Sequence, residues 1–384
     1  MNLEELLEVF RTYLYLPDSG AVEVVLGTIS ANRLAGDPVW LLLVGPPASG
    51  KTEILSSLSL LPDIHEVSTI SQAGLLSGSN GRGAGSTGGL LAEIGPFGII
   101  ACKDFTSILS ESSDTRSMVF AALREIFDGQ WVRRLGTNGG RTIGWQGKTG
   151  LVAGVTEIID QHSAAIGAMG ERFVFYRMPE LDDDARLEQG RASMRLVGQQ
   201  REMRTAIAEA VRVFFAGLPE NPHAPELTPE NKERLVLLAD LATKCRSTVE
   251  RSGHDREIEL VPQSEALGRL QAGLTQLGRG LAVIGVGPER VDALLTKLAL
   301  DGMPKTRRAV VDYFVGADEN LHPTSRALAD QLHLPTRATS RALEDLAAHG
   351  VVERFGSSGA HTWRASEWLK KRWVSIAPHI VARP

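Results

Sequence analysis

Val39-Trp40-Leu41-Leu42-Leu43-Val44-Gly45-Pro46-Pro47-Ala48-Ser49-Gly50-Lys51-Thr52 joins a continuous apolar run to a glycine-bracketed turn ending in Lys-Thr. A short run with no polar alternation is expected of a strand buried on both faces. The turn matches GxxxxGK[ST] and is followed by a helical stretch over 53–61, the context in which this motif wraps phosphates. Glycines let main-chain N–H groups approach the anion, and the helix start adds its positive end.

Further apolar runs stand at 66–70, 97–102, 151–156 and 173–176, with helical periodicity between them, as at 116–127. Strands alternating with helices predict a parallel sheet covered by helices, an α/β fold. Residues 2–35 read as helices. The Gly/Ser-rich segment 77–89 reads as a mobile loop. After Pro179 the strands stop. Asp182-Asp183-Asp184 offers a helix cap and an acidic first turn, and the pattern stays helical to about Leu300, broken near 217–229 and 252–262. The predicted division is 1–36 N-terminal helices, 37–180 nucleotide-binding core, 181–302 helical lid and 303–384 a separate C-terminal domain.

The 384 residues carry a net charge of −5, with 12 Lys/Arg against 8 Asp/Glu in 303–384, which leaves −9 on the rest. A basic tail on an acidic body makes any nucleic-acid contact local. Cys102 and Cys245 have no zinc or redox spacing, the nine histidines show no metal-ligand spacing, and no nucleophile-elbow motif is present. The acidic, amphipathic start has no signal-peptide pattern, and no apolar run is long enough to span a bilayer. A cytoplasmic location with no membrane partner is the expectation.

In the loop, Gly45, Pro46, Pro47, Ala48, Ser49 and Gly50 form the cradle, Lys51 neutralises the β- and γ-phosphates of ATP, and Thr52 places its hydroxyl on Mg²⁺. The second acidic motif is Gly98-Ile99-Ile100-Ala101-Cys102-Lys103-Asp104-Phe105, an apolar strand ending in a carboxylate beside the metal and the attacking water. Here the chain resembles the AAA+ ATPases, in particular the minichromosome maintenance-like and mobile-element replication branch, which usually ends this strand in Asp-Glu-Phe. Two alignments stay open. In one, Asp104 takes the catalytic Glu position and Lys103 replaces the metal-side Asp; in the other, Asp104 is the metal ligand and the Glu is missing. Either leaves the rate of turnover open.

The resemblance covers about 37–300. It implies that Thr156 is a first sensor orienting water, that Arg172, in Gly167-Ala168-Met169-Gly170-Glu171-Arg172-Phe173, is an arginine finger reaching a neighbouring subunit, and that Arg269 in the lid is a second sensor. A finger acting in trans implies a homo-oligomeric ring, a hexamer by analogy. The stretch 130–142 contains Asn138-Gly139, a hairpin-turn signal; in replicative relatives a hairpin here meets DNA, which assigns Arg133, Arg134 and Arg141 to phosphate contact. Trp131 and Trp145 read as hairpin packing ahead of base stacking.

In the tail, helices over 306–315, 323–332 and 336–348, then strands at 351–355 and 361–364 around Gly356-Ser357-Ser358-Gly359, resemble a winged helix-turn-helix. Thr336, Arg337, Ser340 and Arg341 would face a major groove, with Arg354, His361 and Arg364 on the wing. The leading expectation is an oligomeric ATPase that translocates on or remodels DNA, in the manner of a helicase of mobile-element or phage replication, with a replication protein as partner. The rivals are an ATP-gated DNA-binding regulator with little hydrolysis, which Lys103 favours, and a remodeller of a protein partner.

Overall fold

A computed structural model describes residues 1–78, 87–135, 141–162, 166–167, 172–220, 222, 224–254, 256–317, 321–356 and 361–377. The tip of the Gly/Ser-rich loop, the turn at Asn138-Gly139, most of the segment leading to Arg172 and the turn at 357–360 lie outside these residues. Two compact units are present: Met1–His162 with Arg172–Glu226 and Thr275–Val291, and Ser163–Glu171 with Leu227–Leu274 and Asp292–Pro384.

The first unit is built on strands β1 (Trp40–Val44), β2 (Ile64–Val67), β5 (Phe97–Cys102), β8 (Lys148–Val155) and β9 (Phe173–Arg177), a five-stranded sheet in the order β2-β5-β8-β1-β9. Every pairing in it is parallel. β1 is wholly buried, as its unbroken apolar run requires. The edge strand β2 is only partly covered and starts two residues before the apolar run at 66–70. Its sequence lacks a buried signature because one side has no neighbour. Helices Gly20–Arg33, Lys51–Ser56 and Ser113–Phe127 cover the sheet.

Local chemistry sets the element boundaries. Asn32 holds the entry to β1: its amide donates to Thr28 O and Val39 O and accepts Val39 N–H, each at 2.9 Å. Ser112 Oγ accepts Thr115 N–H at 3.2 Å and starts the Ser113–Phe127 helix; Asp182 accepts Ala185 N–H at 2.8 Å and starts Asp183–Arg195. These are the side-chain caps that Ser and Asp supply. Trp40 is fully buried, donates from its indole to Thr149 O at 2.7 Å, and packs its ring against Phe127 and Phe173 at 5.2 and 5.4 Å. Gly280 lies against the Gly20–Arg33 helix so closely that a Cβ there would stand 2.2 Å from Gly27 O. Only glycine permits that approach.

Two short antiparallel pairs decorate this unit. β3 (Ser77–Gly78) pairs with β4 (Thr87–Gly88). β6 (Gln130–Leu135) pairs with β7 (Arg141–Gln146) with Trp131 opposite Trp145. Both indoles are buried, and Trp145 donates to Gly95 O at 2.7 Å, so the two tryptophans are packing residues.

The second unit contains helices Pro229–Arg246, Lys305–Gly316, Ser325–Gln331, Thr336–Ala348 and Glu367–Ile376, with the pairs β10 (Glu250–Arg251) with β11 (Ile258–Leu260) and β12 (Val352–Phe355) with β13 (Thr362–Ala365). Leu328, Ala329, Ala342, Leu343 and Leu346 are buried in its helical core. Arg307 donates to Cys245 O, Ser247 O and Asp345, while Arg251 pairs with Glu344 and Asp345. Arg372 pairs with Asp240. This network joins the Pro229–Arg246 helix to the tail helices. The Glu367–Ile376 helix, which the tail's sequence pattern did not flag, starts on Ser366, whose Oγ accepts Leu369 N–H at 3.2 Å. No helix among the described residues is long and apolar enough to cross a membrane.

Candidate functional site

The ends of β1, β5 and β8 lie side by side on the carboxyl edge of the sheet, the edge where parallel α/β sheets bind ligands. From β1 the chain enters the loop 45–50. Gly45 N–H donates to Val155 O at 3.1 Å, which locks the loop to β8. A Cβ at Gly45 would stand 2.8 Å from Met178 Cγ. Ala48 and Gly50 have φ of 63° and 88°. A left-handed alanine costs about 1–2 kcal/mol and marks a backbone held in its shape by its surroundings.

Lys51 is buried. Its ammonium donates to Gly45 O at 2.7 Å, Pro46 O at 2.6 Å and Ser49 Oγ at 3.1 Å. Burial pulls its pKa down, against the charges of Asp104 and Glu157, which push it up. The ammonium thus bonds the carbonyls of its own loop. Thr52, next in line, is exposed, as are Pro46, Pro47 and Ala48. A hydroxyl and nearby carboxylates form an oxygen donor set suited to a hard dication, so the residues fit Mg²⁺ and a phosphate chain. Glu53 is clasped by Arg204 through Nε and Nη2 at 2.8 and 2.7 Å.

Beyond β5, Lys103 pairs with Glu66 of β2 at 2.8 Å. β2 lies on the side of β5 opposite β8 and β1, so the cation is drawn away from the loop. Asp104 is exposed; its Oδ1 accepts Thr106 N–H at 2.9 Å. Thr106 Oγ1 in turn accepts Thr156 N–H at 3.1 Å and lies 3.4 Å from Thr156 Oγ1. Lys51, Asp104 and Thr156 are therefore gathered at one sheet edge, with Thr106 and Glu157 added. Neither of these two was read from the sequence. Thr106 sits in a helical Thr-Ser pattern and Glu157 in an ordinary acidic turn, and only strand order brings them to the loop.

Arg172 is placed elsewhere. It is buried, its Nη2 bonds Asp128 Oδ1 and Oδ2 at 3.0 and 2.7 Å, and its guanidinium lies 5.4 Å from the Phe127 ring centroid. Reaching a second subunit would require breaking that pair. Arg269 is exposed in the first turn of the Gly268–Val283 helix, in the part that belongs to the second unit.

Of the residues assigned to nucleic acid, Arg134 is exposed on β6, whereas Arg133 turns inward and donates to Leu76 O at 3.1 Å. Arg141 lies in β7 opposite Leu135; its side chain is outside the described residues. Thr336, Arg337 and Arg341 are exposed and Ser340 is half-buried on the Thr336–Ala348 helix. Arg354 is exposed on β12. Arg364 on β13 faces its cross-strand partner Glu353 at 2.7 Å, which compensates its charge, and lies 5.2 Å from the Phe355 ring. Among the described residues no cluster of three or more His, Cys, Asp or Glu is arranged to hold a metal unaided. The sequence matches no known protein family and no curated protein.

Proposed function

We propose that this chain is a Mg²⁺-dependent ATPase of the AAA+ type that acts on DNA. The observation that carries the reading is the loop 45–50, its left-handed Ala48 and Gly50, and a buried Lys51 whose ammonium is held by loop oxygens that phosphate oxygens can replace. The interior position of β1, with the ends of β5 and β8 beside it, supports the same reading. Lys51 and the loop amides hold the phosphates, and Thr52 with Asp104 holds the metal side. Mg²⁺, when bound, supplies charge neutralisation at the β- and γ-oxygens. Thr156, fixed by Thr106, orients the water.

The tail's three helices and β12–β13 pair support a winged-helix reading, with Arg337, Arg341 and Arg354 as exposed cations for phosphate contact. Arg134 offers a second contact. Self-association into a ring, hexameric by analogy, and Arg269 as a lid sensor rest on the family resemblance. The experiment is steady-state ATP hydrolysis with and without DNA: DNA-stimulated turnover is expected, and no turnover under either condition removes the motor reading.

The Arg172–Asp128 pair favours a second reading, an ATP-gated DNA-binding regulator. While Arg172 stays latched within its own chain, no finger is supplied to a neighbour, and nucleotide binding is separated from rapid hydrolysis.

A further inference from the structure

Lys103, which precedes Asp104 at the end of β5, is held by Glu66 on β2. The motif therefore brings one carboxylate, Asp104, to the loop. The neighbouring strand brings another. β8 lies between β5 and β1, and Asp104 and Glu157 each stand two residues beyond the end of their strand, β5 ending at Cys102 and β8 at Val155.

The backbone that carries Glu157 is fixed from both sides. Val155 O accepts the N–H of Gly45, the first residue of the phosphate loop, at 3.1 Å. Thr156 N–H is taken by Thr106 Oγ1 at 3.1 Å. Glu157 follows directly, opening the 3₁₀ turn Glu157–His162 with its side chain exposed. Its charge and that of Asp104 both bear on the Lys51 ammonium. One oxygen of Asp104 is occupied by Thr106 N–H, and an aspartate reaches one methylene less than a glutamate.

We infer that Glu157 is the base that accepts the proton of the attacking water, with Asp104 serving the metal side and Thr106 positioning the segment between them. The inference rests on the proposed hydrolysis of ATP. In that step the water oxygen bonds to the γ-phosphorus, and the bond from that phosphorus to the β–γ bridging oxygen breaks, its electron pair passing to ADP. The water proton passes to the Glu157 carboxylate and then to solvent, leaving ADP and inorganic phosphate.

The test uses the full chain. Wild type, Glu157→Gln, Asp104→Asn, Thr106→Val and Thr106→Ser are titrated with a fluorescent ATP analogue with and without Mg²⁺, and turnover of ATP is measured separately. Glu157→Gln is expected to keep the affinity for Mg²⁺-ATP while turnover falls by about 100-fold or more, the usual contribution of a positioned base. Asp104→Asn loses the Mg²⁺ enhancement of binding. Thr106→Val lowers kcat with KM unchanged, and Thr106→Ser restores it, a split that a purely structural role would not give. Wild-type protein that fails to bind ATP removes the proposed function itself. Wild type that binds ATP, with Glu157→Gln turning over at the same rate or losing Mg²⁺-ATP binding, overturns the Glu157 inference alone. Wild type that binds but never hydrolyses overturns the Glu157 inference together with the motor reading, and leaves the nucleotide-gated reading.

Discussion

Replacing Asp128 by Asn separates the two roles available to Arg172. The guanidinium side chain is 5% exposed and its carboxylate partner 49% exposed. Removing one partner of a fully buried pair costs about 3–5 kcal/mol, whereas an exposed pair is worth about 0–1 kcal/mol. With one side buried and the other half in water, the loss falls between these limits, about 1–2 kcal/mol. The amide of Asn keeps an acceptor near Nη2, and the Phe127 ring 5.4 Å away still covers the cation, which places the cost at the lower end. For a domain of a few hundred residues each kcal/mol moves the melting temperature by about 2–4 °C. Differential scanning fluorimetry on wild type, Asp128→Asn and Arg172→Ala reads this directly. Turnover at rising protein concentration reads the other role. If Arg172 is a finger latched in its own chain, Asp128→Asn raises turnover per subunit as concentration increases, while Arg172→Ala abolishes it. An unchanged melting temperature in Asp128→Asn would refute the pair, and turnover unaffected by either substitution would refute the finger.

Gly280→Ala places a Cβ 2.2 Å from Gly27 O and 2.6 Å from Ala31 N, backbone atoms that cannot rotate aside; a loss of about 1–3 kcal/mol is expected, and chemical denaturation measures it. Lys148 is partly buried, donates to Leu34 O at 2.7 Å, and has its pKa pulled down to about 8 from 10.5, chiefly by burial. The unfolded chain therefore holds this proton more tightly, so stability gained from this group rises as pH climbs from about 8 to 10.5; the rise is absent in Lys148→Met, and denaturation at several pH values checks it. Arg337→Ala with Arg341→Ala removes two exposed cations, so DNA affinity falls across all sequences and the salt dependence becomes shallower by about two phosphate contacts, with ATP affinity unchanged; fluorescence anisotropy at several salt concentrations measures both.

The parts of the fold written in local patterns were legible. β5 follows its apolar run residue for residue, and the Thr336–Ala348 helix begins and ends where its periodicity does. Asp182 capped its helix as an aspartate in that position should. What was not legible depends on partners distant in sequence. The edge strand β2, expected at 66–70, lies at Ile64–Val67; among the described strands it pairs with β5 alone, and it has no buried run of its own to fix its bounds. The pairs β3–β4 and β10–β11 are two or three residues long, too short for a period to show. At the site, GxxxxGK[ST] announced its own loop because the hydrogen bonds of the Lys51 ammonium reach no further than six residues back. The fate of Lys103 was decided by Glu66, 37 residues away, and that of Arg172 by Asp128, 44 residues away. Thr106 meets Thr156 across 50 residues. Such contacts follow from strand order, which composition and periodicity do not encode.

Equilibrium binding of ATP to the 384-residue chain, wild type against Lys51→Ala, bears most directly on the phosphate-loop reading. Lys51 is buried and makes three polar contacts at the loop. Losing a buried, hydrogen-bonded charge opposite a phosphate costs about 2–5 kcal/mol, roughly 30-fold or more in affinity. Saturable, Mg²⁺-dependent binding by wild type that weakens by at least this factor in Lys51→Ala is the expected result. Equal affinity in the two proteins, or no binding by wild type at millimolar ATP, would contradict it.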